Sequence, residues 1–480
     1  MHFPCRGWDC EARVTTLYNT LGRRRQTFEP LDEGLVRMYV CGPTVQSAPH
    51  LGHGRSAVAF DVIRRYLIWR GWKVVYVQNI TDVDDKIIAN ASRLGLTSES
   101  LARDMASRFR DAYRLLNVLD PDVQPAATDH IPEMIEMISS LVERGLAYRG
   151  GGDVYFRVRA LEGYGKLSGR NVDELRAGNR VEPGADKEDP LDFALWKAAK
   201  PGEPRWSSPW GPGRPGWHIE CSAMSAKYLG TPFDIHAGGA DLIFPHHENE
   251  IAQSEGAAGR GFARYWLHNG MVNLGGEKLS KSTGHVIDLA EAIEAHGGPV
   301  VRLFYLRASY RSPLEFSLEF LEEAATGLER IRAFVRRAAP GSEASDHATI
   351  KRFMDAMDDD FNTAEALAVL FDAVRQGNAR LDRGRNAGPY AAAVREICLV
   401  LGLDLAEGGL ADLVLGLGDL ASSYGVDGPE PDIALESLLE VRSRARRARD
   451  WDRADAIRAD LAAIGILIED SADGTRWFRR

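Results

Sequence analysis

Between residues 35 and 78 the chain runs through a strand, a helix and a second strand in close succession, and this unit limits the fold more than any other stretch. LVRMYV (35–40) is an apolar run of strand length, and Cys41-Gly42-Pro43-Thr44 closes it with turn formers. From Gly54 to Arg70 the apolar residues Ala59, Val62, Ile63, Tyr66 and Leu67 keep helical spacing, and Gly71 stops the pattern. KVVYVQ (73–78) reads as the second strand. Two strands joined through a helix pair in parallel with a right-handed crossover, which predicts an α/β fold. His50-Leu51-Gly52-His53 stands where this helix opens. Free backbone N–H groups and the helix dipole favour a phosphate there, and Gly52 permits its close approach. His50 and His53 can hydrogen-bond phosphate oxygens and stabilise charge developing in a transition state. Alone, the segment reads better as a helix N-terminus with two surface histidines.

A second motif, Lys278-Leu279-Ser280-Lys281-Ser282, lies some 230 residues downstream, next to Gly275-Gly276. Two ammonium groups on a flexible loop can swing onto a triphosphate and neutralise a leaving pyrophosphate, with Lys281 the principal one. By itself this string also reads as a solvated loop. No Walker-type glycine loop occurs in the chain, so ATP would bind through this other arrangement. Together the two motifs point to a nucleotide-activating ligase on a split mononucleotide-binding fold.

Helical patterns dominate from Ser98 to Gly145, whereas 150–216 are rich in Gly, Pro and aromatic residues around a strand-like DVYFRV (153–158), an insertion between two halves of the sheet. The sheet is expected to resume near Trp217, with Phe233–Ala237 and Tyr265–Val272 as strands around a helix from about Pro245. Residues 315–337 and 346–382 are amphipathic with few breakers and predict an α-bundle. Residues 405–431 read as a loose connection, and 433–463 as further helix. Seven arginines against four aspartates between 441 and 460 make that segment locally basic.

At 480 residues the chain should hold several domains. Its net charge of -10 excludes coating nucleic acid by bulk charge but leaves room for a local basic surface. No apolar run approaches a membrane span and the first residues lack a signal-peptide core, so a cytoplasmic protein is expected, with no membrane partner. The five cysteines, Cys5, Cys10, Cys41, Cys221 and Cys398, are too few and scattered for a disulfide framework, which leaves metal binding or packing. Seven of the twelve histidines (His50, His53, His218, His236, His246, His247, His268) fall in motif-like stretches, and none follows His347, so the chemistry belongs to the first two thirds.

Over nearly its whole length the chain resembles the cysteinyl-tRNA synthetases, a family of class I aminoacyl-tRNA synthetases. The resemblance is carried by MYVCGPTV (38–45), HLGHGRS (50–56), YVQNITDVDDKI (76–87), DVYFRV (153–158), YGKLSGR (164–170), PGWHIECSAMS (215–225), HAGGADLIFPHHENEIAQSE (236–255), HNGMV (268–272) and EKLSKS (277–282). It implies a Rossmann-like parallel-sheet catalytic domain split by a connective insertion, then an α-helical bundle and a small anticodon-binding domain. The corresponding boundaries are an N-terminal extension at 1–15, catalytic halves at 16–135 and 215–272, and the insertion at 136–214. A lysine-loop and stem-contact region at 273–320, the bundle at 321–404, a linker at 405–431 and the anticodon-binding region at 432–480 follow. The implied reaction joins L-cysteine and ATP, with Mg2+, into cysteinyl-adenylate and pyrophosphate, then passes the cysteinyl group to the 3' end of tRNA(Cys).

The resemblance assigns one zinc ion to Cys41, Cys221, His246 and Glu250. Spacing alone would not show this, although His246 and Glu250 at i and i+4 share a helix face. A thiolate binds borderline-soft zinc better than a hydroxyl does, so the metal would select cysteine over serine and make editing unnecessary. The resemblance further places Thr81, Trp217 and His218 around cysteine, Gly239 and Asp241 at the ribose, and the backbone of His268, Gly270 and Val272 at the adenine. Gly52 and Lys281 would meet the phosphates, with His50, His53, Lys278 and Lys281 catalytic. Trp217 taken alone could be core, and Cys398 reads as packing.

Leu51 and Leu279 replace the family's commoner Ile and Met, and Gln46 stands where an aromatic residue is frequent. The 442–458 segment, with Trp451 and Trp477, could contact phosphates and stack on bases, or form a salt-bridged solvated helix. A cysteine:amino-sugar ligase of mycothiol biosynthesis, sharing the adenylate chemistry, is the alternative function; the chain's continuation beyond the bundle argues for tRNA. A catalytically dead RNA-binding paralogue would be marked by a lost lysine or ligand, and none is lost here. A monomer is expected.

Overall fold

The computed structural model describes residues 15–171, 186–274, 277–278, 287–338, 343–405, 417–418, 420–426, 431–448, 450–464, 466–471 and 474–479. Cys5, Cys10 and Lys281 lie outside them. A small hairpin, β1 (Thr16–Asn19) and β2 (Arg24–Thr27), precedes β3 (Leu35–Val40), α1 (Leu51–Trp69) and β4 (Lys73–Gln78). The two longer strands pair in parallel from Leu35 opposite Lys73 to Val40 opposite Gln78. α1 starts three residues before its apolar periodicity does, because His50 caps it. The His50 ring accepts from the Gly52 N–H at 3.1 Å and the His53 ring from the His50 N–H at 3.1 Å, a reciprocal cap that draws the whole HLGH segment into the first turn. α2 (Asp85–Leu94), α3 (Ser98–Leu115) and α4 (Ile131–Glu143) follow.

The insertion folds as an antiparallel sheet of its own, β5 (Ala147–Gly150), β6 (Asp153–Phe156), β7 (Phe193–Ala198) and β8 (Gly213–Pro215), in sequential order. β6 ends two residues earlier than expected, where Val158–Ala160 turns into a single 3-10 turn. Trp217, where the sheet was expected to resume, instead opens α5 (Trp217–Leu229); the main sheet resumes at β9 (Phe233–Gly239), followed by α6 (Glu248–Ala258) and β10 (Ala263–Asn269). The order is β10-β9-β3-β4, all parallel, so strands from before and after the insertion share one sheet. β3 and β9 lie at its centre, and chain order reverses between them. Ligands in open α/β sheets bind at the carboxyl ends of such a pair.

The expected strand 265–272 divides: β10 stops at Asn269, and β11 (Val272–Leu274) joins a second small sheet with β12 (Glu277–Lys278). Next come α7 (Leu289–His296), α8 (Gly298–Leu306), and β13 (Leu314–Phe316), which pairs in parallel with β11. The bundle is α9 (Leu318–Arg337), α10 (His347–Asp358), α11 (Thr363–Leu381) and α12 (Gly388–Leu401). The amphipathic stretch 346–382 thus holds two helices, separated at Asp360 and Phe361, whose φ angles are 60° and 53°. One apolar core runs from the sheet into the bundle, joining Val36 and Ile63 to Phe304, Phe353 and Leu370, and Cys398 packs in it. A charged cluster crosses the same boundary: Asp61 of α1 pairs with Arg65 at 2.8 Å and with Arg302 of α8, and Arg302 also donates to the Leu401 and Leu116 carbonyls at 2.8 and 2.9 Å.

α13 (Pro431–Arg447), α14 (Trp451–Ala463) and the hairpin β14 (Ile466–Ser471)/β15 (Gly474–Arg479) form a small C-terminal unit. The helix expected over 433–463 is thus two, with Asp450 capping the second at 3.2 Å from the Arg453 N–H. Part of the stretch expected to be loose is built in: Leu417 and Ala421 are buried against Leu435, Leu438, Ile457 and Leu461.

Candidate functional site

A cavity of about 520 Å³ opens at the carboxyl ends of β3 and β9. His50, Gly52 and His53 form one wall, Cys41, Cys221 and His246 the floor with Thr81 and Trp217 beside them, and Gly239, Asp241, Asn269, Gly270 and Met271 the far wall. The two motif rings stack, with centroids 3.7 Å apart. Gly42 lets the chain leave β3 hard against the end of β4: a Cβ there would fall 1.6 Å from the Asn79 carbonyl oxygen. Thr81, beyond that carbonyl, is buried and paired with Thr44.

The floor is a knot of buried donors. Cys41 follows β3, Cys221 lies on α5, and His246 and Glu250 straddle the start of α6. The two sulfurs are 3.7 Å apart, Cys41 lies 3.4 Å from Glu250 Oε1, and His246 Nε2 meets the same oxygen at 3.0 Å. Burial opposes ionisation of Cys221, but the Cys41 thiol bonded to it and the adjacent His246 outweigh that and bring it down to about 6. Burial likewise disfavours a charged His246, yet Glu250 and Cys221 hold it up at about 10. Burial would raise Glu250, but the imidazoles of His236 and His246 keep it well below the usual carboxylate range. Cys41 goes the other way, pushed well up by burial and by Cys221. Two thiols, an imidazole and a carboxylate, all with one ligand atom within 4.8 Å of the others, match the donor set of a soft-ligand metal centre.

A second foursome could also hold an ion: Cys41, His236, His247 and Glu250. It shares two members with the first, so the two sets compete for one ion. His236 Nε2 reaches Glu250 Oε2 at 2.8 Å, and His247 Nε2 reaches Cys41 Sγ at 3.3 Å. Only the first set faces the cavity through three of its members. His236 and His247 stood out in the sequence by position, without a ligand role.

His218 is behind the floor, its Nδ1 2.9 Å from Nδ1 of His246, while Trp217 stacks on His246 with centroids 4.2 Å apart. His268 and Val272 are buried outside the lining: His268 is bonded to Thr20 at 2.7 Å and to His247 at 2.8 Å, and burial draws its ring down to about 3. The residues between them, Asn269 to Met271, make the wall. Sequence reasoning missed Lys86, Gln78 and Tyr113, which also line the cavity. Gln78 and Lys86 were inside a quoted motif, YVQNITDVDDKI; Tyr113 carried no signal.

Lys278 is on β12, opposite Asn273 of β11. Residues 287–289 lie beside the other motif: Asp288 bridges His50, the Leu51 N–H donates to the Ile287 carbonyl at 3.2 Å, and the Leu289 N–H to the Pro49 carbonyl at 3.0 Å. The segment carrying the lysine motif is thus tied at its far end to HLGH.

The family model of the class I (C) tRNA synthetase catalytic domain matches residues 27–326, a DALR domain matches 352–406, and the cysteinyl-tRNA ligase anticodon-binding domain matches 429–477. The cysteine–tRNA ligase of Brevibacillus brevis is 48% identical over 97% of this chain and 99% of its own length. The chain belongs to the cysteine–tRNA ligase family. That of Chromohalobacter salexigens is 50% identical over 96% and 98%. Among solved structures, Mycobacterium tuberculosis methionyl-tRNA synthetase bound by methionyl-adenylate shares the fold, with TM-score 0.59 and 17% identity over 80% of this chain and 94% of that one. The match of an anticodon-binding domain at 429–477 disfavours the amino-sugar ligase alternative. Among the described residues no helix is long and apolar enough to cross a membrane.

Proposed function

We propose that this chain activates L-cysteine with ATP and transfers the cysteinyl group to the 3' end of tRNA(Cys). The observation that carries the reading is the meeting, in one cavity, of the HLGH helix start with a buried Cys, Cys, His, Glu cluster. Cys41, Cys221, His246 and Glu250 would hold a zinc ion, which when bound supplies selectivity for a thiolate over a hydroxyl. Trp217 and Thr81 hold the amino acid against that floor, with His218 fixing His246 from behind. The cysteine carboxylate attacks the α-phosphorus of ATP, and the bond to pyrophosphate breaks. His50, His53 and the positive end of the α1 dipole beside Gly52 take up charge on the phosphate oxygens, and Lys278 and Lys281 the charge on the leaving pyrophosphate, with Mg2+ accompanying ATP. Gly239 and Asp241 approach the ribose, and Gly270, set by its neighbours His268 and Val272, approaches the adenine.

For tRNA, support comes from the C-terminal unit. Arg444, Arg447, Arg453 and Arg458 are exposed there, as are Trp451 (55%) and Trp477 (47%), suited to phosphates and to stacking on bases. Arg442 is buried and does not belong to that surface. The division of labour follows the domains named above: catalysis in 16–135 and 215–272 with the lysine loop of 273–320, and RNA contact in the stem-contact part of 273–320 and in the anticodon-binding region 432–480. We place the protein in the cytoplasm as a monomer. The test is transfer of labelled cysteine to acid-precipitable tRNA with ATP and magnesium. Product sensitive to RNase and mild alkali is expected; no charging alongside active ATP–pyrophosphate exchange refutes the transfer half of the reading.

A further inference from the structure

The break between α10 and α11 is not a slack turn. Asp360 and Phe361 both take the left-handed conformation, which side chains disfavour and which persists only where surroundings impose it. What imposes it here is contact with the catalytic domain. The Asp360 carboxylate, 3% exposed, accepts from the Tyr18 N–H at 2.8 Å and the Tyr310 hydroxyl at 3.2 Å through Oδ1, and from Arg311 Nε at 2.6 Å through Oδ2. Its own N–H donates to the Thr16 carbonyl at 2.9 Å.

Arg311 and Tyr310 belong to the loop on which the far wall of the cavity rests. The Tyr310 carbonyl accepts from the Gly270 N–H at 2.8 Å, and the Leu314 N–H donates to the Met271 carbonyl at 2.9 Å. Gly270 lies so close that a Cβ on it would stand 2.2 Å from the Ser312 carbonyl oxygen. The loop then enters β13, which pairs with β11, which pairs with β12 and Lys278. From the other side Arg55, on the helix that HLGH opens, donates to the Ala308 and Ser309 carbonyls at 3.3 and 2.7 Å. One loop is therefore clamped between the HLGH helix and an aspartate of the bundle, and both the nucleotide wall and the strand entering the lysine motif are laid against it.

We propose that Asp360 is a positioning residue for adenylate formation, acting through Arg311 and Tyr310 on the Gly270 wall and on the strand pair that carries Lys278. This rests on the adenylate-forming reading above. The cysteine floor stands on β3, α5 and α6 rather than on the β11–β13 strands this loop supports, so the two substrates should respond differently.

The test is cysteine-dependent ATP–pyrophosphate exchange by Asp360→Asn, which keeps an oxygen for Tyr18 and Tyr310 but loses the ion pair to Arg311. KM for ATP should rise, or kcat fall, by about tenfold, with KM for cysteine within about twofold and the thermal midpoint close to that of the parent. Asp360→Glu should recover part of the loss. If Asp360→Asn does not fold, Arg311→Gln decides, since that side chain is 32% exposed and its replacement leaves the core intact. Unchanged ATP kinetics in a folded variant, or equal loss for both substrates with a lowered midpoint, overturns the proposal. Absence of exchange by the zinc-replete parent would instead overturn the reading on which it rests.

Discussion

The buried Asp61–Arg65–Arg302 cluster permits a prediction about the joint between the HLGH helix and the bundle. Asp61, Arg65 and Arg302 are 2% exposed or less. Asp61→Asn keeps the shape but leaves two guanidinium groups without a counter-charge, and turns an amide N–H toward one of them. Breaking a buried pair costs about 3–5 kcal/mol. Arg302 would still donate to the Leu401, Leu116 and Asn117 carbonyls, and Arg65 to that of Asn117, which places the loss near the lower bound, about 3 kcal/mol. Burial already draws Arg302 down to about 10 against the opposing pull of Asp61, so removing the carboxylate takes away the attraction that helps keep it charged. The sign with pH follows from Asp61: burial raises its pKa, but Arg65 and Arg302 more than reverse this, and the folded value lies below the unfolded one. Its contribution is therefore complete above the unfolded pKa of about 3.9 and is lost as pH falls through the folded value. Urea unfolding of parent and variant should differ by about 3 kcal/mol at pH 5–8, and the gap should narrow steadily as pH falls below about 4. A difference under about 1 kcal/mol, or one that persists undiminished in acid, refutes the argument.

Lys281→Ala should lower kcat for pyrophosphate exchange by about a hundredfold while cysteine affinity stays within about twofold, because the ammonium acts on charge that appears only in the transition state; equal losses in both would remove it from that role. Gly42→Ala drives a Cβ to 1.6 Å from the Asn79 carbonyl oxygen, a backbone atom that cannot swing aside, and should abolish both exchange and bound metal in whatever protein remains folded; a normal metal content would show that the crevice can yield. Arg444→Glu should raise KM for tRNA by about tenfold and flatten its salt dependence with exchange untouched, and an unchanged KM would take α13 out of the RNA surface.

The parallel sheet was readable because each strand is short, apolar and followed by turn formers, and because α1 declares its period. The break at Asp360 was hidden: amphipathic spacing continues on both sides, and the Asp-rich 358–362 stretch is ordered by Tyr18 and Arg311, residues remote in sequence. The C-terminal hairpin did carry a signal, Asp473-Gly474 between two β-rich runs, which a helical reading of the preceding arginines left aside. At the site, HLGH could be placed at a helix start by capping logic alone. Cys41 and Cys221 could not be joined by spacing, since 180 residues of sequence say nothing about a 3.7 Å approach across β3 and α5.

Two competing donor sets around Cys41 and Glu250 make the place of the metal an experimental question with a sharp answer. In the front set, with Cys221 and His246, His236 is left on the second Glu250 oxygen and His247 remains bonded to His268, so both become outer supports that orient ligands. In the back set those two histidines are ligands, and Cys221 is the bystander. His236→Ala and Cys221→Ser therefore exchange roles between the two cases. With the ion in front, Cys221→Ser should lose zinc on purification and cysteine activation with it, whereas His236→Ala should weaken zinc by about 10–100-fold and still bind it in excess. Zinc content by metal analysis, before and after dialysis against a chelator, reads both. Full zinc in Cys221→Ser with none in His236→Ala would move the ion behind the floor, out of reach of a substrate thiol, and the selection of cysteine by coordination would fall with it.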